Sequence, residues 1–227
     1  MQSVILAAGL GKRLNSNIPK ALIKIQGKPI LEHTLKNISQ FVDEIMIIIG
    51  KKGNQIKTYF GNNFNGIPIK YVIQQEPLGT AHALDQAKPY VKDKFIVSMG
   101  DNFYSKQDIQ ECLKHNLSTL AQEVEDPSRF GVFLLDNGYI KEVVEKPKEF
   151  VSNLVNTGFY LFDRRIFDEI QKLEKSERGE YELTEALLNL AKKTNIKCVK
   201  VSQLWFAIDR KDDISIADNQ LASFLKD

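Results

Sequence analysis

Val4-Ile5-Leu6-Ala7-Ala8-Gly9-Leu10-Gly11-Lys12-Arg13 runs from an apolar, strand-like stretch directly into a loop of small residues carrying two glycines and two cations. Small residues and glycine let a backbone curl tightly around a phosphate chain and turn its N–H groups toward anionic oxygens. Arg13, and then Lys20 in Pro19-Lys20, supply the charge. An arginine fork and a lysine point charge suit a triphosphate whose departing pyrophosphate gains negative charge. Gly-x-Gly alone fits a plain strand-to-loop turn equally well. Two other nucleotide signatures are excluded: the dinucleotide fingerprint needs a third glycine where Leu14 stands, and the P-loop order is absent. A dehydrogenase is therefore disfavoured.

Outward from this loop, the first half alternates β-branched runs with helical patterns, as expected of βαβ units around a mostly parallel sheet. Strands are predicted at Val4–Ala7, Glu44–Ile49, Ile69–Ile73 and Phe95–Met99, and helices at Ile30–Ser39, Gln55–Phe60, Thr80–Ala87 and Lys106–Asn116. In the second half, Phe130–Leu135 and Tyr139–Glu145 flank Asn137-Gly138, a strong hairpin turn signal. Further strands are predicted at Asn156–Phe162 and Ile196–Val201, with helices at Arg164–Lys172, Leu183–Lys193 and Lys211–Leu225. The fold class is α/β, with a Rossmann-like mixed, mainly parallel sheet flanked by helices and antiparallel additions. Ligands in such sheets bind outside the carboxyl ends of the parallel strands.

With 227 residues and 43% hydrophobic content, one domain over 1–227 is the expectation. Thirty-one basic against 29 acidic residues leave a net charge of +2, so no global basic field points to nucleic acid. Cys112 and Cys198 are too far apart for a metal-ligand pair and read as buried and reduced. Neither a leader-like segment nor an apolar run of membrane-spanning length stands out, so a cytoplasmic location without a membrane partner is expected.

Leu-Ala-Ala-Gly-x-Gly-x-Arg followed by Pro-Lys resembles the signature of the sugar-1-phosphate nucleotidylyltransferase family. The likeness continues in order through Ile73-Gln74-Gln75-Glu76-Pro77-Leu78-Gly79-Thr80-Ala81, Met99-Gly100-Asp101-Asn102, Arg129-Phe130-Gly131-Val132, Val144-Glu145-Lys146-Pro147 and Asn156-Thr157-Gly158. It implies a nucleotide-diphospho-sugar transferase fold, with 1–120 as the nucleotide-binding part and 121–227 as the sugar-phosphate-binding part.

The resemblance implies that Leu6, Ala7, Ala8, Gly9, Gly11, Gln74, Gly79 and Thr80 bind the nucleotide. The Gln74 amide, a donor and an acceptor, matches the N3–H and carbonyl edge of uracil or thymine. It implies sugar-phosphate contacts from Gly131, Glu145, Lys146, Asn156, Thr157 and Gly158, and catalytic charge from Arg13, Lys20 and Lys146. Glu182 is a further candidate to line that pocket. Asp101 follows a hydrophobic strand and a glycine, where a carboxylate meets a Mg²⁺ bridging phosphates. Many family members place a second metal-binding Asp in a Trp-x-Asp segment. Here Trp205-Phe206-Ala207-Ile208-Asp209 has alanine at that position, and Asp209, two residues on along a strand, is the expected substitute.

The implied reaction is magnesium-dependent transfer of a nucleoside monophosphate from UTP or dTTP to a hexose 1-phosphate such as glucose 1-phosphate. A CTP-dependent enzyme acting on phosphocholine or inositol phosphate is the alternative suggested by Ile208-Asp209. A non-catalytic nucleotide-sugar sensor is the alternative suggested by Ala207. Substrates are the expected partners, with self-association through a helix face open. No acyltransferase β-helix of the kind some relatives append is expected after the last helix. His33 and His115 fall on helical patterns, His82 begins a helix without an identifiable carboxylate partner, and none suggests a triad.

Overall fold

The computed structural model describes every residue except Leu10, Lys12, Arg13, Asn15, Ser16, Asn17, Lys52 and Asp227. In chain order its elements begin β1 (Gln2–Ala7), β2 (Lys24–Ile25), β3 (Lys28–Pro29), α1 (Ile30–Ile38), β4 (Glu44–Ile49), α2 (Asn54–Phe60), β5 (Asn63–Phe64) and β6 (Ile67–Ile73). They continue α3 (Thr80–Asp85), β7 (Phe95–Met99), β8 (Asn102–Tyr104), α4 (Lys106–Leu113), β9 (Ser118–Glu123), β10 (Gly131–Asp136) and β11 (Tyr139–Glu145). The last are β12 (Leu154–Phe162), α5 (Arg165–Ile170), α6 (Leu183–Ala191), β13 (Lys197–Lys200), β14 (Trp205–Ala207) and α7 (Lys211–Phe224).

The main sheet has the order β10-β11-β13-β9-β12-β7-β1-β4-β6-β5. β7, β1, β4 and β6 are parallel neighbours, so the first four parallel strands of the chain lie in the order third, second, first, fourth. The order reverses between β1 and β7, and a switch point of this kind opens a crevice at the strands' carboxyl ends. β1, β4 and β7 sit inside the sheet with helices on both faces, which explains their nearly continuous burial in place of alternation. α1 instead shows helical spacing, burying Leu31, Thr34, Leu35 and Ile38.

β12 joins this parallel unit antiparallel to β7, with Tyr160 opposite Val97. β9, between β12 and β13, has no counterpart among the predicted strands. Its sequence, Ser118-Thr-Leu-Ala-Gln-Glu, is short and half polar, yet Ser118 through Ala121 are buried and the hydroxyl of Thr119 donates to the Phe159 carbonyl. Buried hydroxyls satisfied by backbone mask a strand's hydrophobic signature. β13 also runs parallel to β9, so the second half is not purely antiparallel. The β10–β11 hairpin turns at Asn137 and Gly138 with φ of 49° and 79°, the left-handed pair that an Asn-Gly turn supplies.

Cys112 and Cys198 are free and buried. No helix among the described residues is long and apolar enough to cross a membrane.

α5 and α6 are tied by Glu169, only 4% exposed, whose two carboxylate oxygens accept from Lys193 Nζ at 2.7 and 2.8 Å. Lys172 adds a contact at 3.2 Å. The Lys193 hydrogen bond, against the opposing effect of burial, holds the Glu169 carboxyl below its ordinary 4.5. A carboxyl with a depressed pKa stabilises the fold above the unfolded-state value, and that contribution is lost as pH falls through the folded-state value. Glu169→Gln is expected to lower stability at pH 7 by about 1 kcal/mol, both lysines being exposed. The difference should shrink as pH falls below the ordinary 4.5 and vanish once it has passed the lower folded-state value, as followed by urea melts across pH.

Candidate active site

The crevice at the β1/β7 switch point is built by close approach of backbones. Gly100 follows β7 and donates its N–H to the Leu6 carbonyl at 2.9 Å, and a Cβ there would lie 2.9 Å from that of Ala7. Asp101 comes next. β8 then pairs antiparallel with β14, Ala207 opposite Asn102, and Ile208 N–H donates to the Asp101 carbonyl at 3.0 Å. This pairing delivers the distant Asp209 to the same point. β14 ends at Ala207, so Asp209 is not on a strand as the sequence suggested. It is set instead by Asp213 on α7, whose Oδ2 accepts from the Asp209 and Arg210 backbone N–H groups at 2.7 Å each.

Lys20 is the third member. It begins a 3-10 turn after Pro19 (Lys20–Leu22), and its stem passes so near Gly11 that a Cβ there would meet its Cγ at 3.3 Å. Its Nζ lies 2.9 Å from Asp209 Oδ1 and 3.4 Å from Asp101 Oδ2. Burial works against charge on Lys20, but the two carboxylates overcome it and its pKa is raised. Burial raises the Asp101 pKa, with Lys20 opposing. Two hard oxygen donors facing one point, in a cleft with room for phosphate oxygens, fit the ligand set of a divalent cation such as Mg²⁺.

Two clefts meet at this cluster. One, of about 410 Å³, is lined by Leu6, Ala7, Ala8, Gly9 and Gly11 with Gln74, Gly79 and Thr80. Its far wall explains Gly79: at φ 107°, a Cβ would sit 2.5 Å from the Tyr181 carbonyl oxygen. The Tyr181 N–H bonds to the Leu78 carbonyl and its carbonyl accepts from Ala81, pinning the loop. Arg13 lies outside the described residues.

The other cleft, of about 280 Å³, is lined by Gly131, Glu145, Lys146, Asn156, Thr157 and Gly158. Asn156 to Gly158 form an irregularity where β12 shifts register against β9. Gly158, at φ 78°, takes it because a side chain would strike Met99. The Asn156 amide donates to Tyr160 Oη at 2.6 Å. Thr157 turns its hydroxyl to the Leu120 carbonyl at 2.9 Å, and its own carbonyl accepts from Asn102 and Tyr104, so its polar atoms hold the wall. Gly131 makes room for Glu145, whose Oε2 would be 2.9 Å from an added Cβ. Lys146 adopts φ 45°, donates its N–H to the Phe130 carbonyl and places its Nζ 3.3 Å from Glu145 Oε1. Lys20, Thr80, Met99, Asp101, Glu180 and Asp209 line both clefts.

Sequence reasoning missed Arg178. Its guanidinium contacts Glu145 at 3.3 Å and Glu180 and Glu182 at 3.2 Å each, at the mouth of the second cleft. Burial, then the neighbouring Glu145, raises the Glu182 pKa. The only cue was one arginine among the glutamates of Glu174–Glu182. Trp205 also lines this cleft, and its indole N–H has no partner among the described residues.

The nucleotidyl transferase family profile matches residues 2–222, nearly the whole of this architecture. The chain belongs to the nucleotidyl transferase family. It is 41% identical over 225 residues to the bifunctional protein GlmU of Methanocaldococcus jannaschii, covering 97% of this chain and 54% of that protein. The chain thus spans about half the length of the GlmU proteins it matches. To the UTP–glucose-1-phosphate uridylyltransferase AglF of Haloferax volcanii it is 36% identical over 200 residues, 82% of each. Among solved structures, a Bacillus anthracis protein assigned as a glucose-1-phosphate thymidylyltransferase, in complex with a sucrose, superimposes with a TM-score of 0.87 at 30% identity. It covers 96% of this chain and 94% of that one. The mixed α/β nucleotide-diphospho-sugar transferase fold is the fold of this chain.

Proposed function

We propose that the chain transfers a nucleoside monophosphate from UTP or dTTP to a hexose 1-phosphate, releasing pyrophosphate. The observation that carries the reading is the wall common to both clefts. A triphosphate in the Leu6–Gly11 cleft and a sugar phosphate in the Glu145–Gly158 cleft would meet across Lys20, Asp101 and Asp209. The likeness to AglF, a UTP–glucose-1-phosphate uridylyltransferase, supports a uridylyl donor and glucose 1-phosphate as acceptor.

In this reading a phosphate oxygen of the sugar 1-phosphate attacks the α-phosphorus of the nucleotide in line, and the bond to pyrophosphate breaks. The acceptor is already ionised, so no general base is needed. Positioning and charge do the catalysis. Lys146 and Arg178 offset the acceptor's charge, while Lys20, with Arg13 by family resemblance, faces the triphosphate. Asp101 and Asp209 would hold Mg²⁺, which when bound neutralises phosphate oxygens as a Lewis acid. Glu145 accepts from sugar hydroxyls. Residues 1–120 supply most of the nucleotide cleft, but Glu180 and Asp209 cross into it, so the two parts form one site.

The test is pyrophosphate release across UTP, dTTP, CTP and GTP against glucose 1-phosphate, its N-acetylated counterpart and phosphocholine. Turnover with UTP or dTTP and a hexose 1-phosphate is expected. Turnover only with CTP and an alcohol phosphate would overturn the acceptor and base assignments, and binding without turnover would indicate a sensor.

A further inference from the structure

We infer that His82 is a positioning residue that locks the Gln74 amide in the orientation presenting an acceptor to the nucleotide cleft, and thereby sets the base preference. The inference rests on the reading above that Gln74 faces the base. Gln74 follows β6, is 4% exposed and lines the nucleotide cleft. Its Nε2 donates to the Gly79 carbonyl at 3.1 Å and lies 2.9 Å from His82 Nδ1. A carbonyl only accepts, so the nitrogen end of the amide, not the oxygen, must face that side. Gly79 cannot turn its carbonyl away, because the Tyr181 backbone packs against its Cα.

The second amide hydrogen points to Nδ1, while the Gln86 amide nitrogen lies 3.4 Å from Nε2 on the other side of the ring. The ring is braced within α3 and against the 181 loop. Gln86, one turn on, donates to the His82 carbonyl at 3.1 Å, and the Tyr181 ring centroid is 6.5 Å from that of His82. With both amide hydrogens used, Gln74 offers the cleft only Oε1, which has no hydrogen bond among the described residues.

A lone acceptor matches the N3–H of uracil or thymine. The N3 of cytosine is itself an acceptor and meets it oxygen to lone pair. Without His82, only the Gly79 carbonyl opposes a flip of the amide, and a flipped amide could offer N–H groups to cytosine. The histidine therefore supplies discrimination without touching the nucleotide.

His82→Leu removes the acceptor and keeps the bulk; His82→Asn returns an acceptor near the place of Nδ1. Kinetics are measured with CTP and with UTP or dTTP, whichever turns over better. For His82→Leu the expected result is a KM for the preferred nucleotide raised about tenfold with kcat little changed, and preference over CTP reduced about tenfold, the scale of one hydrogen bond. His82→Asn should restore both. A preference within twofold of wild type in His82→Leu would overturn the inference, and His82→Ala gives the same reading should the leucine variant fail to fold. Gln74→Ala separates the two assignments. If it collapses the preference while the His82 variants do not, only the positioning role fails; if it leaves the preference intact, the base-reading role of Gln74 fails with it.

Discussion

Asp101→Asn is expected to lower kcat/KM by about three orders of magnitude while leaving the fold intact. The asparagine keeps shape and size but removes one of two anionic oxygens converging on the clefts' common wall. A metal's stabilisation of transition-state charge amounts to several kcal/mol, and each 1.36 kcal/mol is a tenfold change in rate, so losing about 4 kcal/mol gives roughly a thousandfold. Stability should not fall, because burial already disfavours the ionised carboxyl. Steady-state rates over a magnesium titration, beside a thermal melt, check both halves. A rate within tenfold of wild type would remove Asp101 from the metal's coordination.

Lys20→Met is expected to reduce turnover by about two to three orders of magnitude, as loss of one preorganised donor does elsewhere. It carries a second signature. Lys20 Nζ lies between Asp101 and Asp209, so its removal takes a positive charge from beside two partly buried carboxylates. Losing the charged hydrogen bonds that Lys20 makes there costs roughly 1–3 kcal/mol. The melting temperature of the variant should therefore drop in EDTA and recover with MgCl2 more than that of the wild type. An equal drop in both buffers would mean that the carboxylates do not form a metal pair.

Much of this site was legible because its chemistry sits in contiguous motifs at the ends of strands. Leu6 to Gly11, Gln74 to Thr80 and Asp101 each follow an apolar run, and the parallel sheet brings those ends together by topology. What escaped was set by tertiary contact. Asp209 itself was named from the sequence, but the route that brings it to Lys20, the pairing of β14 with β8 and the Asp213 cap, is not visible in local periodicity. Arg178 lies in an acidic loop that reads as solvated surface until its three glutamates are seen to be shared with the cleft. β9 hides its strand character in hydroxyls that bond to backbone. His82 lacked a carboxylate, and its partner proved to be an amide.

In the proposed reaction one cluster joins a nucleotide cleft to a sugar-phosphate cleft, and the nucleotidyl group passes directly between them. Incubating the chain with UTP labelled at the α-phosphate, a hexose 1-phosphate and magnesium tests it most directly. Label is expected to enter a nucleotide sugar in step with pyrophosphate release and only when both substrates and metal are present. Label appearing as free UMP, or remaining in UTP across the acceptors, would contradict it.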